Sequence, residues 1–175
     1  KVEGSRLTNR KATAAAAVPN VKIRRYGTTN EGRPLLQVLI ARPDFIGRID
    51  EILQRNRELA DPNTTEARAR EIAASNPAVA YFSYGVHGNE SSSPEAAMWT
   101  AWSLASGAET VRGVLDSVVV VIDPAVNPDG RDRYVMFYRQ ARGVEPNPNP
   151  ESREHSEPWP GGRTNHYLFD LNRDW

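Results

Sequence analysis

The segment Ser117–Ile122 constrains the fold of this chain most, because four valines and an isoleucine follow one another in it. Nearly continuous β-branched apolar sequence is typical of a strand that is covered on both faces. A second buried strand is predicted over Ala78–Tyr84, and a helix is predicted from Ser92 or Ser93 to about Ser106. Strand, helix and strand in this order indicate a parallel crossover of an α/β sheet.

Two further strands and two helices are predicted ahead of this crossover. Val21–Tyr26 alternates and Leu35–Ile40 is an apolar run, and the glycines and proline between them favour a hairpin. Phe45–Leu59 has the apolar spacing of a helix, for which Asp44 is a candidate N-cap. A short, polar helix is predicted over Thr65–Ser75. Both helices are expected on one face of the sheet.

The remaining sequence is interpreted mainly as loop. Asp123–Gly130 and the proline-rich Gly143–Gly162 lack periodicity, and a long irregular segment indicates either a functional surface or a disordered insertion. Phe169–Leu171 is predicted to begin another strand. Residues 1–20 are assigned to an N-terminal extension and residues 21–175 to one domain, because a chain of 175 residues can bury one substantial core. Since it starts at Lys1, we expect a processed or cut piece of a longer protein.

Composition excludes several classes of function. The 22 basic residues balance the 22 acidic ones, so the chain has no net field to attract nucleic acid or an anionic membrane surface. Cysteine is absent, which excludes disulfides, thiolate metal sites and a cysteine nucleophile. No apolar run approaches the length of a membrane span. We therefore expect neither a nucleic-acid nor a membrane partner.

His87 and Glu90 form the strongest candidate site. They follow a predicted buried strand and precede a predicted helix, where open α/β sheets place their ligands. Imidazole and carboxylate are both zinc ligands, and catalytic zinc sites keep one position open for water. The alternative is a surface turn with a solvated histidine. The H-E-x-x-H motif is absent, and residue 91 is a serine, which disfavours thermolysin-like chemistry and the H-x-x-E-H arrangement.

Three further polar segments are candidates for the same site. Asn127–Gly130 follows the second buried strand, so it is either a plain β-turn or a loop that opens on the same end of the sheet as His87. Asn172 and Arg173 could bind a carboxylate through a guanidinium fork and an amide, or could be solvated. Arg139 and Arg142 are either both surface charges, or one of them stabilises a developing oxyanion near zinc.

Together these motifs resemble those of the zinc metallocarboxypeptidases of the carboxypeptidase A type. His87-Gly-Asn-Glu90, Asn127-Pro-Asp-Gly130 and Asp170-Leu-Asn172-Arg173 occur in the order of that family, and Gly161–Trp175 is similar to the version in its larger bacterial members. The similarity extends over roughly Val21–Trp175. It implies an α/β fold with a mixed, mostly parallel, twisted sheet and helices on both faces, truncated at the C-terminus.

The resemblance also implies roles for individual residues. His87 and Glu90 correspond to two ligands of Zn²⁺, and Asn172 and Arg173 to the pair that holds the terminal carboxylate of a substrate. Arg139 corresponds to the oxyanion arginine because it follows an aromatic residue as the family's arginine does. Arg142 is kept as the alternative to Arg139 for the oxyanion role.

Some of the family's catalytic residues have no counterpart in this chain. The third zinc ligand, a histidine, the substrate-facing tyrosine and the general-base glutamate are expected beyond Trp175. His155 and His166 lie between matched motifs and are interpreted as loop histidines.

The function implied is that of a zinc-dependent exopeptidase. It would remove C-terminal residues from peptides that end in a free carboxylate, acting as a monomer that is secreted or periplasmic. For the piece itself we expect weak zinc affinity and no appreciable activity. Two alternatives stay open, namely a zinc amidohydrolase acting on N-acyl amino acids or cell-wall peptides, and a non-catalytic peptide-binding module.

Overall fold

The computed structural model describes residues 18–173, and the strands within this part of the chain form one mixed four-stranded sheet. The strands are β1 (Val21–Thr28), β2 (Pro34–Ile40), β3 (Ala78–Ser83) and β4 (Val118–Asp123). Their order in the sheet is β1-β2-β4-β3. β2 runs antiparallel to β4, with Val38 opposite Ile122. The predicted α/β class with a mixed sheet is confirmed. The part of the predicted N-terminal extension before residue 18 lies outside the described residues.

The α-helices of the described residues lie between β2 and β4 in the sequence or follow β4. They are α1 (Pro43–Gly47), α2 (Ile49–Ala60), α3 (Glu66–Ser75), α4 (Ser93–Ser106) and α5 (Pro128–Ala141). Single turns of 3₁₀-helix occur at Glu109–Val111, Val114–Asp116, Arg153–His155 and Leu171–Arg173. Within residues 18–173, every helix is too short or too polar to cross a bilayer.

The predicted crossover between β3 and β4 is confirmed. Ala78 N donates to Ser117 O at the start of the two strands (3.0 Å), and Tyr84 N donates to Asp123 O at their ends (2.9 Å). The start of β3 is thus bonded to the start of β4, and the end of β3 to the end of β4, so the two strands are parallel. The connecting helix α4 begins and ends as predicted, and Gly107 follows it with a φ of 68°.

The prediction that β3 is a buried strand was wrong. β3 lies at the edge of the described sheet, and Tyr81 and Phe82 are 49% and 42% exposed. By contrast, Val119–Ile122 in β4 is buried throughout, because β4 lies between two strands. An apolar run alone does not distinguish these two positions, since the number of neighbouring strands depends on the whole sheet.

The chain divides into two compact units. Unit 1 comprises residues 18–24, 37–82 and 99–122 among those described. Its core joins Phe45, Ile49 and Ile52 of the helices to Leu39 and Val121 of the sheet. Burying each of these large side chains stabilises the fold by about 1.5–3 kcal/mol. The expected packing of this helical segment on one face of the sheet is confirmed.

The predicted single helix over Phe45–Leu59 is divided in the structure. α1 ends at Gly47 and α2 begins at Ile49, because Arg48 has non-helical torsion angles (φ −121°, ψ 26°). Asp44 was predicted as the N-cap, which was wrong. Pro43 already begins α1, and the Asp44 carboxylate instead accepts hydrogen bonds from Arg42 at 3.0 and 2.9 Å.

Helices α2 and α3 are held together by a guanidinium fork. Arg68 donates from Nε to Glu58 Oε1 at 2.8 Å and from Nη2 to Glu58 Oε2 at 3.0 Å. The hydrogen bonds from Arg68 lower the pKa of Glu58. At its start, α3 is capped by Thr65, whose side chain accepts from Arg68 N. The predicted polar helix is therefore confirmed, with Thr65 as its cap.

Unit 2 comprises residues 25–36, 83–98 and 123–173. It contains the turn of the predicted β1–β2 hairpin, in which Thr29 N donates to Arg33 O (2.8 Å) and Gly32 N donates to Thr29 O (3.0 Å). Gly32 adopts a φ of 83°, which favours glycine. The hairpin is confirmed.

Two predictions about the later part of unit 2 were wrong. Asp123–Gly130 was interpreted as loop, but Pro128 begins the 14-residue helix α5. Phe169–Leu171 was predicted to begin a strand, but the backbone forms a 3₁₀ turn over Leu171–Arg173. There the Asp170 carboxylate accepts from Asn172 N at 3.0 Å, a local bond that competes with strand pairing.

The irregular segment after α5 is organised by one buried carboxylate. Glu154 is 6% exposed and accepts hydrogen bonds from the backbone N of Asn147 (2.7 Å) and of Gly143 (3.4 Å). His155 Nε2 contacts Asn147 O at 2.7 Å. The segment thus has fixed internal contacts although it contains neither a strand nor an α-helix.

Candidate functional site

The loops that follow β3 and β4 run side by side, as the sequence predicted. Beyond the last strand bond, Val126 N donates to Tyr84 O (2.9 Å) and Asn127 N donates to Gly85 O (3.0 Å). Gly85 has a φ of 63°, and its N–H donates to Ser93 Oγ at 2.8 Å. The segments that contain His87 and Asn127 are therefore brought together in unit 2.

His87 is buried between two carboxylates. Its side chain is 6% exposed; Nδ1 lies 2.9 Å from Glu90 Oε1, and Nε2 lies 2.7 Å from Asp170 Oδ1. Glu90 itself is 59% exposed. The partly buried Asp170 thus holds the ring at Nε2, and the exposed Glu90 faces Nδ1.

Asp170 is a residue that the sequence interpretation missed. Its Oδ1 accepts from Asn172 N as well as contacting His87, and its Oδ2 accepts from Arg163 Nε at 3.0 Å. The hydrogen bond from His87 is the largest contribution that lowers the pKa of Asp170 to about 2. An acid two positions before an Asn-Arg pair was the available signal, but its pairing with a residue 83 positions away is not visible in the sequence.

Three glycines of unit 2 bring the motif backbones into direct contact. A Cβ on Gly88 would lie 2.0 Å from Arg131 N, and one on Gly130 would lie 2.3 Å from Gly162 O. A Cβ on Gly162 would lie 2.6 Å from Gly130 O. Gly88 N donates to Gly162 O at 2.8 Å. We call these three residues the glycine junction; only glycine leaves room for it.

The Asn127–Gly130 motif is a helix start and not a plain β-turn. Asn127 is 2% exposed and caps α5, because its Oδ1 accepts from Gly130 N at 2.9 Å. Its Nδ2 donates to Arg163 O at 3.3 Å. Pro128 occupies the first turn of the helix, where its missing N–H costs nothing.

The acid of the same motif anchors the hairpin turn. Asp129 is 3% exposed, and its Oδ1 accepts from Thr29 Oγ1 (2.8 Å) and from Arg33 Nη1 (2.7 Å). Arg33 also donates to Glu31 and Asp132, each at 2.7 Å. Burial opposes the charge of Arg33, but these three carboxylates raise its pKa. Asp129 therefore has a structural partner and is not free for catalysis.

Asn172 and Arg173 are joined by backbone hydrogen bonds to Asp170, the acid that contacts His87. Arg173 N donates to Asp170 O at 2.9 Å, and its guanidinium donates to Asn172 O at 3.2 Å. Both side chains are exposed. This arrangement leaves them accessible to a ligand while their backbone is held by the acid that contacts His87.

Arg139 and Arg142 lie at the C-terminal end of α5. Arg139 is exposed in the last turn of α5, and Arg142 lies just beyond it, 6.0 Å above the ring of Tyr138. Within residues 18–173, neither arginine has a hydrogen bond or ion pair with His87 or Glu90.

The two loop histidines have contacts of their own. His155 contacts Asn147 O, and His166 Nδ1 lies 3.3 Å from Glu31 Oε1. Neither residue contacts His87 or Glu90 in the described part of the chain. Their interpretation as residues of the loops is consistent with these positions.

The donor atoms of His87 and Glu90 fit a shared zinc ion. Two ligands of a tetrahedral zinc at ordinary bond lengths are about 3.3 Å apart, and the 2.9 Å between Nδ1 and Oε1 is close to this. A ligating histidine usually donates its other N–H to a carboxylate, which is the arrangement of His87 and Asp170. No group of three or more histidine or acidic residues able to hold a metal occurs among residues 18–173.

The sequence profile of the zinc carboxypeptidases matches residues 10–175. The chain belongs to the zinc carboxypeptidase family. This family is zinc-dependent and acts on peptides, and the expected resemblance is confirmed over nearly the whole chain. A search among curated proteins found no match to this chain.

Solved structures that include carboxypeptidases have a similar fold. A metallo-carboxypeptidase from Burkholderia cenocepacia is 20% identical over 96% of this chain and 31% of its own, with a TM-score of 0.53. Carboxypeptidase A from Helicoverpa armigera is 20% identical over 77% of this chain and 27% of its own (TM-score 0.51). Bovine thrombin-activatable fibrinolysis inhibitor, solved with tick carboxypeptidase inhibitor, is 14% identical over 77% of this chain and 34% of its own (TM-score 0.50). This zinc carboxypeptidase chain thus spans about a third of the length of the structures it resembles.

Proposed function

We propose that this chain is the N-terminal portion, residues 21–175, of the catalytic domain of a secreted or periplasmic zinc exopeptidase that removes C-terminal residues from peptides. The observation that supports it best is the position of His87, whose Nδ1 lies 2.9 Å from Glu90 while Nε2 is held by Asp170. Membership of the zinc carboxypeptidase family supports the class of reaction. A histidine and a general-base glutamate from sequence after residue 175 would complete the site.

His87 and Glu90 would hold the metal. A zinc ion bound there supplies a Lewis acid that polarises a carbonyl and activates water. Asp170 keeps the His87 ring in place, because its Oδ1 accepts at Nε2 and leaves Nδ1 directed at Glu90. The burial of His87 limits its rotation, while the exposure of Glu90 leaves the site open to substrate.

Asn172 and Arg173 would select the substrate. The exposed guanidinium of Arg173 can form two parallel hydrogen bonds to a terminal carboxylate, and the amide of Asn172 can add a third. Asp170 bonds to the backbone of both residues and also contacts His87, so one residue positions the recognition pair and the zinc ligand. Binding of a terminal carboxylate by this pair would favour cleavage next to a free C-terminus over cleavage within a chain.

Recognition of the free carboxylate can be tested on paired peptides that end in an acid or an amide. In the full-length protein, Arg173→Ala should lower kcat/KM for the free acid by about 10- to 100-fold, because a charge-assisted hydrogen bond contributes about 1.5–3 kcal/mol. The amidated peptide should be affected little. Arg153→Ala, in an exposed arginine of the same unit, is the control. An unchanged preference for the free acid in Arg173→Ala contradicts the proposed role.

The oxyanion role is proposed for Arg139, with Arg142 as the alternative, on the basis of family resemblance. The two exposed arginines provide a matched pair for the test. Arg139→Ala should lower kcat by about 10²- to 10³-fold, as the loss of one oxyanion donor does, while Arg142→Ala should have little effect. The reverse order assigns the role to Arg142, and equal small effects exclude both.

A further inference from the structure

Arg163 is fixed in place by the loops that carry the candidate site. Its carbonyl accepts from Asn127 Nδ2 at 3.3 Å, and the residue before it belongs to the glycine junction. Gly162 is buried, and its carbonyl accepts from Gly88 N at 2.8 Å. The backbone of Arg163 is therefore tied to both the His87 loop and the start of α5.

The side chain of Arg163 holds one oxygen of Asp170. Nε and Nη2 contact Asp170 Oδ2 at 3.0 and 2.9 Å, which leaves Oδ1 for His87 Nε2 and Asn172 N. A guanidinium donates in a planar fork, so it restricts the rotation of a carboxylate. Arg163 Nη1 also lies 3.4 Å from His87 Nδ1, so the same group borders the ring edge that faces Glu90.

We propose that Arg163 is a positioning residue for the zinc ligand His87 and acts through Asp170. By holding Oδ2, it orients the carboxylate so that Oδ1 receives the Nε2–H of His87, and Nδ1 remains on the side of Glu90, where zinc would bind. This inference rests on the proposed metal site. Partners one step removed from a metal ligand typically change metal affinity or activity by 10- to 100-fold when they are removed.

The test is the zinc affinity of the full-length protein, measured by competition with a chromophoric chelator. Four proteins are compared, namely the wild type, Arg163→Met, Asp170→Asn and the double variant. Arg163→Met should weaken zinc binding by about 10-fold or more. The double variant should bind zinc within about twofold of Asp170→Asn, because an effect that acts through Asp170 is lost with that carboxylate. Arg153→Met, the control, should stay within twofold of the wild type.

Each outcome decides the proposal. Losses that multiply in the double variant, or zinc affinity of Arg163→Met within twofold of the wild type, overturn it and leave the proposed function intact. A wild-type protein that binds no zinc overturns both. If Arg163→Met does not fold, Arg163→Lys decides: lysine keeps the charge without the fork, so its affinity should be reduced, and wild-type affinity would overturn the proposal.

Discussion

Replacing Gly88 by alanine tests whether the glycine junction holds the candidate site together. The added Cβ would lie 2.0 Å from Arg131 N and 2.1 Å from Gly130 C. To reach ordinary contact near 3.4 Å, one backbone segment must move by about 1.4 Å. These are backbone atoms that cannot rotate aside as a flexible side chain can. We therefore expect a loss of unfolding free energy near the upper end of the usual overpacking cost, about 3 kcal/mol.

The same displacement should impair function, since Gly88 directly follows His87. A shift of about 1 Å in a catalytic group can reduce activity by about 10²-fold. Unfolding by urea and kcat/KM on a free-acid peptide measure the two effects. Gly47→Ala is the matched control because a Cβ there meets nothing within 4 Å, and alanine should stabilise that helix by up to about 1 kcal/mol. If Gly88→Ala were as stable and as active as the wild type, the argument that a Cβ at Gly88 has no room would be refuted.

Two further predictions concern the helices. Asn127→Ala should destabilise the protein by about 1–3 kcal/mol in urea unfolding, because it removes the cap of α5 and the donor to Arg163 O, while Asn127→Ser, which keeps a capping oxygen, should lose less. Arg68→Met should raise the pKa of Glu58 toward its ordinary 4.5 in an NMR titration, because the hydrogen bonds from Arg68 lower it. The stabilisation from this pair is present above pH 4.5 and is lost as the pH falls through the lowered pKa of Glu58. Equal loss in Asn127→Ala and Asn127→Ser, or an unchanged pKa of Glu58, contradicts these assignments.

The strands and the neighbouring loops could be predicted because their signals are local. Four valines in succession indicate a covered strand, and β4 is buried on both faces. Parallel strands place their C-terminal loops together, which the hydrogen bond from Val126 N to Tyr84 O confirms. The exposure of β3 could not be predicted in this way, because the burial of a strand depends on which strands lie beside it in the sheet and not on its own composition.

The contacts that organise the candidate site are long-range and leave no periodic signal. Asp170 contacts a histidine 83 positions earlier, and Arg163 contacts the same carboxylate across a turn. The start of α5 was misjudged because Asn, Pro, Asp and Gly favour turns. The partners that hold this helix start in place, the Arg163 carbonyl for Asn127 and Arg33 for Asp129, lie far away in the sequence. Such residues become identifiable only when the backbones that they join are known.

The claim that His87 and Glu90 bind one zinc ion is tested most directly by zinc titration of the full-length protein. We predict one bound zinc per chain, and a loss of affinity of at least about 100-fold in Glu90→Gln, because the amide removes the anionic ligand. Glu109→Gln, at an exposed acid of unit 1, should bind zinc like the wild type. Zinc affinity of Glu90→Gln within twofold of the wild type, or a wild-type protein that binds no zinc, would contradict the account.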